Sequence, residues 1–244
     1  MRGWTPLLLL SGLVFVASTP SGAASLQASP TLFEMAAGKA ADTLTLRNDG
    51  TTVLNAQVRI FRWSQVNGDD KSEPTSEVVA SPPAVSIAPG SEQIVRVVRV
   101  SKRPVTGEEN FRVVVDELPD KANQKPGEIS FTFKHSIPMF VMAQTGGKSQ
   151  VSWTIEKNGD KTFVVAKNTG SRRARIAGLT LKAPGAKDFV LGKGLNGYVL
   201  SGSSMRWVLP STVAIGSIGP VTVTARSDEG PINATAQAQD SVRR

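Results

Sequence analysis

The stretch EISFTFKHSIPMFV, residues 128–141, sets Ile129, Phe131, Phe133, Ile137, Met139 and Val141 at alternate positions, with His135 as the one break in the apolar series. Ser130, Thr132, Lys134 and Ser136 occupy positions between them. Successive side chains of a β-strand point to opposite faces, so this pattern is that of a half-buried strand. Pro138 lies inside it. A proline has no N–H to give to a ladder and is tolerated on edge strands, at bulges and at strand ends. A long apolar edge strand is an aggregation hazard unless something is meant to cover it. The stretch therefore predicts an exposed edge in a β-rich fold, and raises the question of what the edge serves.

Strand signals continue on both sides. Residues 43–46, 53–61, 92–100, 111–115, 151–155, 162–166, 177–181 and 220–225 are rich in β-branched or aromatic residues. Turn formers separate them: NDG (48–50), NGDD (67–70), APG (88–90), NGD (158–160), NTG (168–170) and APG (183–185). Short strands at this spacing predict an all-β protein built from β-sandwiches. The one helix-friendly segment, FEMAAGKAA (33–41), is short and contains Gly38; it reads as a turn-like connection. LTLRNDG (44–50) is echoed by FVVAKNTG (163–170), each an alternating strand closed by an Asn-x-Gly turn, as two similar domains would produce. QTGGKSQ (144–150) offers a Gly-Gly hinge between them. The expected division is a first domain over 25–143 and a second over 144–244, each of a size usual for an immunoglobulin-like sandwich.

Residues 1–24 have the order of a secretory signal peptide: a basic start at Arg2, an apolar core from Leu7 to Ala17, and small residues at Gly22, Ala23 and Ala24. The apolar core, interrupted by Ser11 and Gly12, is shorter than the roughly 20 residues a spanning helix needs, and no later segment qualifies, so no stable membrane insertion is expected. The chain contains no cysteine, which excludes disulfides, cysteine nucleophiles and thiolate metal sites. With His135 as the single histidine, no His-rich metal cage can be assembled, and neither metal nor cofactor is expected. The 28 basic and 20 acidic residues give a net charge of +8, but the cations are scattered and point to no nucleic-acid partner. The one dense cluster, SRRAR (171–175), reads as a solvated loop between strands.

Three stretches of the first half resemble, in order and spacing, the PapD-like periplasmic chaperones of chaperone-usher pili: PGSEQIVRV (89–97), EENFRVVVDELP (108–119) and EISFTFKHSIPMFV (128–141). GYVLSGSSMRWVLP (197–210) resembles a strand-and-turn segment of the same family. The resemblance implies two immunoglobulin-like domains set at an angle around a cleft, and places the protein in the periplasm. The opening stretch then corresponds to the strand that family members call G1. That strand holds a pilus subunit whose own immunoglobulin-like fold lacks its last strand, until the subunit passes to an outer-membrane usher. The mode is β-augmentation by donor-strand complementation. Ladder bonds would contribute a net ~0.5–1.5 kcal/mol each whatever the guest's sequence. Ile129, Phe131 and Phe133 would enter the guest's open groove at about 1.5–3 kcal/mol per fully buried side chain.

The chain also departs from the family pattern. Better-known members grip the subunit's terminal carboxylate with an Arg in the first strand and a Lys in the long strand. Pro30 and Pro138 stand at the matching positions. With its SIPMFV and ENFRV segments the chain resembles the archaic branch, which includes Csu-type, spore-coat-U-related and sigma-type pili. Arg112, interrupting an apolar strand expected beside the long one, is the leading substitute, since a guanidinium can grip a carboxylate with two parallel N–H bonds. Lys134 and His135 are lesser candidates. For Arg112 an ion pair with Glu108 or Glu117 is the structural alternative. Arg96 is expected to serve an internal ion pair. Glu117 matches a family acid that joins the domains, but Met142 stands where its Arg partner belongs, so the domains are expected to be joined differently.

An enzyme is the main rival class. A Ser-His-Asp hydrolase would have to use His135, and no G-x-S-x-G elbow accompanies it. A secreted β-sandwich adhesin or structural module is the other rival, in which the long strand is consumed internally.

Overall fold

Alternation of apolar and polar residues builds the molecule almost entirely from antiparallel strands. The computed structural model describes residues 26–36, 38–119, 132–184, 187–210 and 220–240. The leader read at 1–24, and Ile129 and Phe131 of the donor stretch, lie outside them. Among the described residues ten strands form the first sandwich: β1 (Leu26–Ser29), β2 (Phe33–Ala36), β3 (Ala41–Asn48), β4 (Leu54–Val66), β5 (Asp69–Pro74), β6 (Val78–Ser81), β7 (Ala84–Ile87), β8 (Glu92–Arg99), β9 (Glu108–Leu118) and β10 (Lys134–Met142). One layer has the order β1-β3-β8-β6, and the other β2-β10-β9-β4-β5 with β7 added to β4. Leu44, Leu46, Val95 and Val97 of the first layer meet Val58, Phe111, Val113, Val115, Ile137 and Met139 of the second in one buried core.

The second sandwich contains β11 (Val151–Asn158), β12 (Lys161–Asn168), β13 (Ala174–Lys182), β14 (Phe189–Val190), β15 (Leu195–Val199), β16 (Ser204–Leu209), β17 (Val221–Ser227) and β18 (Gly230–Asp240). Its long β18 pairs antiparallel with β17 and then parallel with β11, so one strand stitches the two layers together. Trp153, Ile155 and Val164 face Ile176, Leu179, Leu181 and Val223 across its core.

The sequence echo has a structural basis. Asn48 is wholly buried and its side chain closes the turn after β3: Nδ2 donates to Thr52 O (2.7 Å) and Ile87 O (2.9 Å), and Oδ1 accepts from Gly50 N (2.9 Å). Asn168 does the same after β12, with Arg172 O (2.8 Å), Val199 O (3.0 Å) and Gly170 N (2.9 Å) as partners. A buried amide is tolerated because its hydrogen bonds are made, and each one welds a turn to a neighbouring segment.

Two glycines are required by geometry. Asn67 (φ 54°) and Gly68 (φ 81°) turn the β4–β5 hairpin, as the Asn-Gly pair of a two-residue loop demands. A Cβ on Gly170 would stand 2.2 Å from Lys148 O, because the 144–150 segment lies directly against this turn. Lys148 O accepts from Ser171 N (3.0 Å) and Arg172 N (3.3 Å), and Gln150 O accepts from Thr169 N (2.9 Å). The Gly-Gly segment read as a hinge is thus tied to the second sandwich.

One segment differs from its expected form. Phe33–Ala36, inside the stretch read as a turn-like connection, is a strand that pairs parallel with Met139–Met142 of β10. Phe33 and Met35 alternate into the core with exposures of 1% and 0%, and this burial overrides the helix-friendly composition.

Candidate functional site

The site is built on β10 and its neighbours. Flanking bonds give the phase of the β9–β10 ladder: Glu117 N donates to Phe133 O and Ala143 N to Gly107 O, both at 2.9 Å. Hydrogen-bonded and non-bonded pairs alternate, so odd-numbered residues of β10 bond to β9 and even-numbered ones turn their backbone groups outward. Pro138, opposite Arg112, falls at a non-bonded position, and its missing N–H costs that ladder nothing. On the outer side, β2 covers only Met139–Met142. The outward N–H and C=O groups of Thr132, Lys134 and Ser136 have no strand beside them among the described residues, and all three residues are exposed.

Side chains follow the same alternation. Ile137, Met139 and Val141 enter the first core, whereas Phe133, of the same phase, lies beyond it and is 40% exposed. Glu117 fastens the start of this segment by accepting from Phe133 N at 3.1 Å. His135, half-buried, faces the sandwich interior, and its Nε2 donates to Leu26 O at 3.0 Å. Lys134 faces the other way and is 63% exposed, 3.9 Å from Asp116 Oδ1. Arg112 and Lys134 therefore share a face, and His135 does not.

That shared face meets the second sandwich. Phe140 is fully buried there with Trp63, Tyr198 and Leu200. The ring centroids lie 5.7 Å (Trp63 to Phe140), 5.8 Å (Trp63 to Tyr198) and 5.3 Å (Phe140 to Tyr198) apart, within the range of favourable aromatic packing. Two arginines flank the cluster. Arg112 stacks 3.6 Å from the Trp63 centroid, and Arg173 3.7 Å from that of Phe140.

The two cations differ in what they leave open. Arg173, expected in a solvated loop, is 3% exposed, and its guanidinium pairs with Glu108 and Glu34 of the first sandwich. Its backbone N–H also donates to Glu108 Oε1 at 3.0 Å. Burial pushes the Glu108 carboxyl up from the usual glutamate value, and the Arg173 charge and N–H pull it back. Arg112 has one ion pair among the described residues, with Asp70 Oδ2 at 3.3 Å, and its side chain is 20% exposed. Its ionic partner is Asp70, not Glu108 or Glu117. Burial lowers the Arg112 guanidinium below the usual arginine value, opposed by Asp70.

Arg96 is exposed on β8, and among the described residues no carboxylate lies in salt-bridge range of it, so the internal pair expected of it is not found there. The internal pair of that strand is Arg99 with Glu109, held by two bonds of 2.8 and 2.9 Å. Among the described residues no group of three His, Asp or Glu side chains could hold a metal. The β4–β5 hairpin completes the seam. Gln65 Nε2 donates to Tyr198 O (2.8 Å), Gln65 Oε1 accepts from Leu200 N (3.0 Å), and Arg206 N donates to Gly68 O (3.2 Å).

Residues 25–145 match the family described as pili and flagellar-assembly chaperone, PapD N-terminal domain. The chain belongs to the PapD-like pilus chaperones. Among solved structures, it is similar to that of the CsuC–CsuE chaperone–tip adhesion subunit pre-assembly complex from archaic chaperone-usher Csu pili of Acinetobacter baumannii. The identity there is 24%, over 88% of this chain and 100% of the other, with a TM-score of 0.69. The chaperone DraB of E. coli is 18% identical, over 86% of this chain and 97% of its own, with a TM-score of 0.58. The SafB chaperone, solved with the SafA pilin of Salmonella enterica, is 16% identical, with coverages of 87% and 97% and a TM-score of 0.59. At these identities the structures speak for the fold: two immunoglobulin-like sandwiches around a cleft. No curated protein matches the chaperone significantly.

Proposed function

We propose that the chaperone works in the periplasm, where β10 adds its open edge to a pilus subunit whose immunoglobulin-like fold is incomplete, and that the loaded complex then passes to an outer-membrane usher. The observation that carries this reading is the run Thr132–Ser136: exposed backbone donors and acceptors along one edge, with Phe133 displayed beyond the home core. Ile129 and Phe131 share the phase of Phe133 and would extend the same apolar row into the guest. The export signal at 1–24 supports the compartment, and among the described residues no helix is long and apolar enough to cross a membrane.

Arg112 is the proposed anchor for the subunit's terminal carboxylate. It lies across from Pro138, where the open edge ends, and keeps part of its side chain accessible. Arg173 is already neutralised by two carboxylates, Lys134 lies four residue pairs along the ladder, and His135 faces the wrong side. The test is co-expression of the mature chaperone with candidate subunits, followed by affinity capture and mass spectrometry. A subunit with an incomplete sandwich is expected to co-purify. Its failure to do so with every candidate, while the chaperone is folded, would overturn the reading.

A further inference from the structure

The order β10-β9-β4-β5 puts Arg112 between two places where a carboxylate can stand. On one side is Pro138 of β10, at the end of the open edge. On the other are Trp63 of β4 and Asp70 of β5. The guanidinium takes the second side. It leaves β9, lies over the indole of Trp63 at 3.6 Å from the ring centroid, and reaches Asp70, which stands two strands across and, opposite Gln65 where Arg112 is opposite Phe61, four residues further along the sheet.

The contact that holds it there is slight. Arg112 makes one N–H bond to Asp70, at 3.3 Å, and the Asp70 side chain is 40% exposed. Asp70 does not depend on Arg112 for its own position, because its other oxygen accepts from Gln65 Nε2 at 2.8 Å, and Gln65 is in turn bonded to the backbone of Tyr198 and Leu200. A guanidinium has five N–H donors, and among the described residues a carboxylate takes only one of them, which leaves N–H groups for a second.

We propose that Asp70 is a resident stand-in for the guest's carboxylate: it parks Arg112 over Trp63, turned from the donor edge, until a terminal carboxylate arriving beside Pro138 draws the guanidinium back. The competition is between like groups, so the strength of the Asp70 contact sets the threshold for capture. This rests on the reading of Arg112 as the anchor, and the experiment separates the two.

The probe is an octapeptide of alternating valine and threonine, made with a free C-terminal carboxylate and again as the C-terminal amide. Both are titrated against the mature chaperone and its Asp70→Asn, Asp70→Ser and Arg112→Gln variants, each first shown to melt cooperatively. Asp70→Asn and Asp70→Ser are expected to widen the preference for the acid over the amide by about two- to fivefold, the worth of one exposed ion pair. Arg112→Gln is expected to abolish that preference, with or without Asp70. A preference that Arg112→Gln abolishes but that both Asp70 variants leave unchanged would overturn the parking role while keeping the anchor. If neither wild type nor the Asp70 variants distinguish acid from amide, the anchor itself fails, and the proposal with it.

Discussion

Arg173 of the second sandwich and Glu108 of the first meet through side chains that are 1% and 2% exposed, and Glu34 on β2 completes the contact. Removing one partner of such a pair strands a charge out of water. Arg173→Ala is therefore expected to lower unfolding stability by about 3–5 kcal/mol, measured by urea denaturation. The double variant Arg173→Met, Glu108→Gln leaves no charge stranded between them and should lose less. Equal losses would show that the pair acts only through packing.

Asn48 and Asn168 make matching bonds in separate sandwiches, so their loss should be local. Asn48→Ala and Asn168→Ala are each expected to cost about 1–3 kcal/mol through unsatisfied buried backbone groups. Hydrogen exchange should locate the lost protection in 26–119 and 132–142 for the first variant and in 151–240 for the second. Loss spread evenly over both sandwiches in each variant would contradict this.

Glu77 gives an acid-limb prediction. Burial pushes its carboxyl up, but hydrogen bonds from Arg62 and Arg103 outweigh it and hold the group below the usual glutamate value. A carboxyl lowered in the folded state contributes stability above its unfolded value, near pH 4.3, and loses it as pH falls through the folded value. Glu77→Gln should thus be less stable at pH 7, by under about 1 kcal/mol given its partial exposure. The difference should shrink steadily below about pH 4, as read from melting curves across that range.

Replacing Phe131 and Phe133 by Ser is expected to leave the melting curve unchanged and to abolish subunit capture in periplasmic pull-downs. Phe133 lies beyond the home core, so little native packing is at stake. Retained capture with a normal melt would count decisively against the donor role.

Arg112→Ala is expected to weaken subunit capture by more than it lowers stability, since its ion pair with Asp70 is partly exposed. A drop in melting temperature with no binding defect in the folded fraction would assign Arg112 to the fold alone.

Much of this was legible in the residues. The odd positions 137, 139 and 141 announced the core face of β10, and Pro138 its edge. Phe140 stands at an even position in the same stretch, and Trp63 out of phase with Ala56, Val58 and Ile60. Both are signs of a second buried face that alternation could have supplied. Arg173 could not be read this way. Its partners Glu34 and Glu108 lie 139 and 65 residues away, so only docking of the sandwiches distinguishes it from a solvated cation. Asp70 escaped for the same reason, 42 residues from Arg112. Phe33–Ala36 was hidden by its composition, because the partner that makes it a strand, β10, lies a hundred residues on.

The phase of Pro138 has one more consequence. Its silent nitrogen points outward, so a newcomer zipping along β10 is offered donors at 132, 134 and 136 and finds a blank at 138. Immediately past the blank, β2 already occupies the lane. The berth therefore has a terminus as well as a track, and alignment of the cargo need not depend on its sequence: it is halted by a single imino acid that costs its owner no bond to β9.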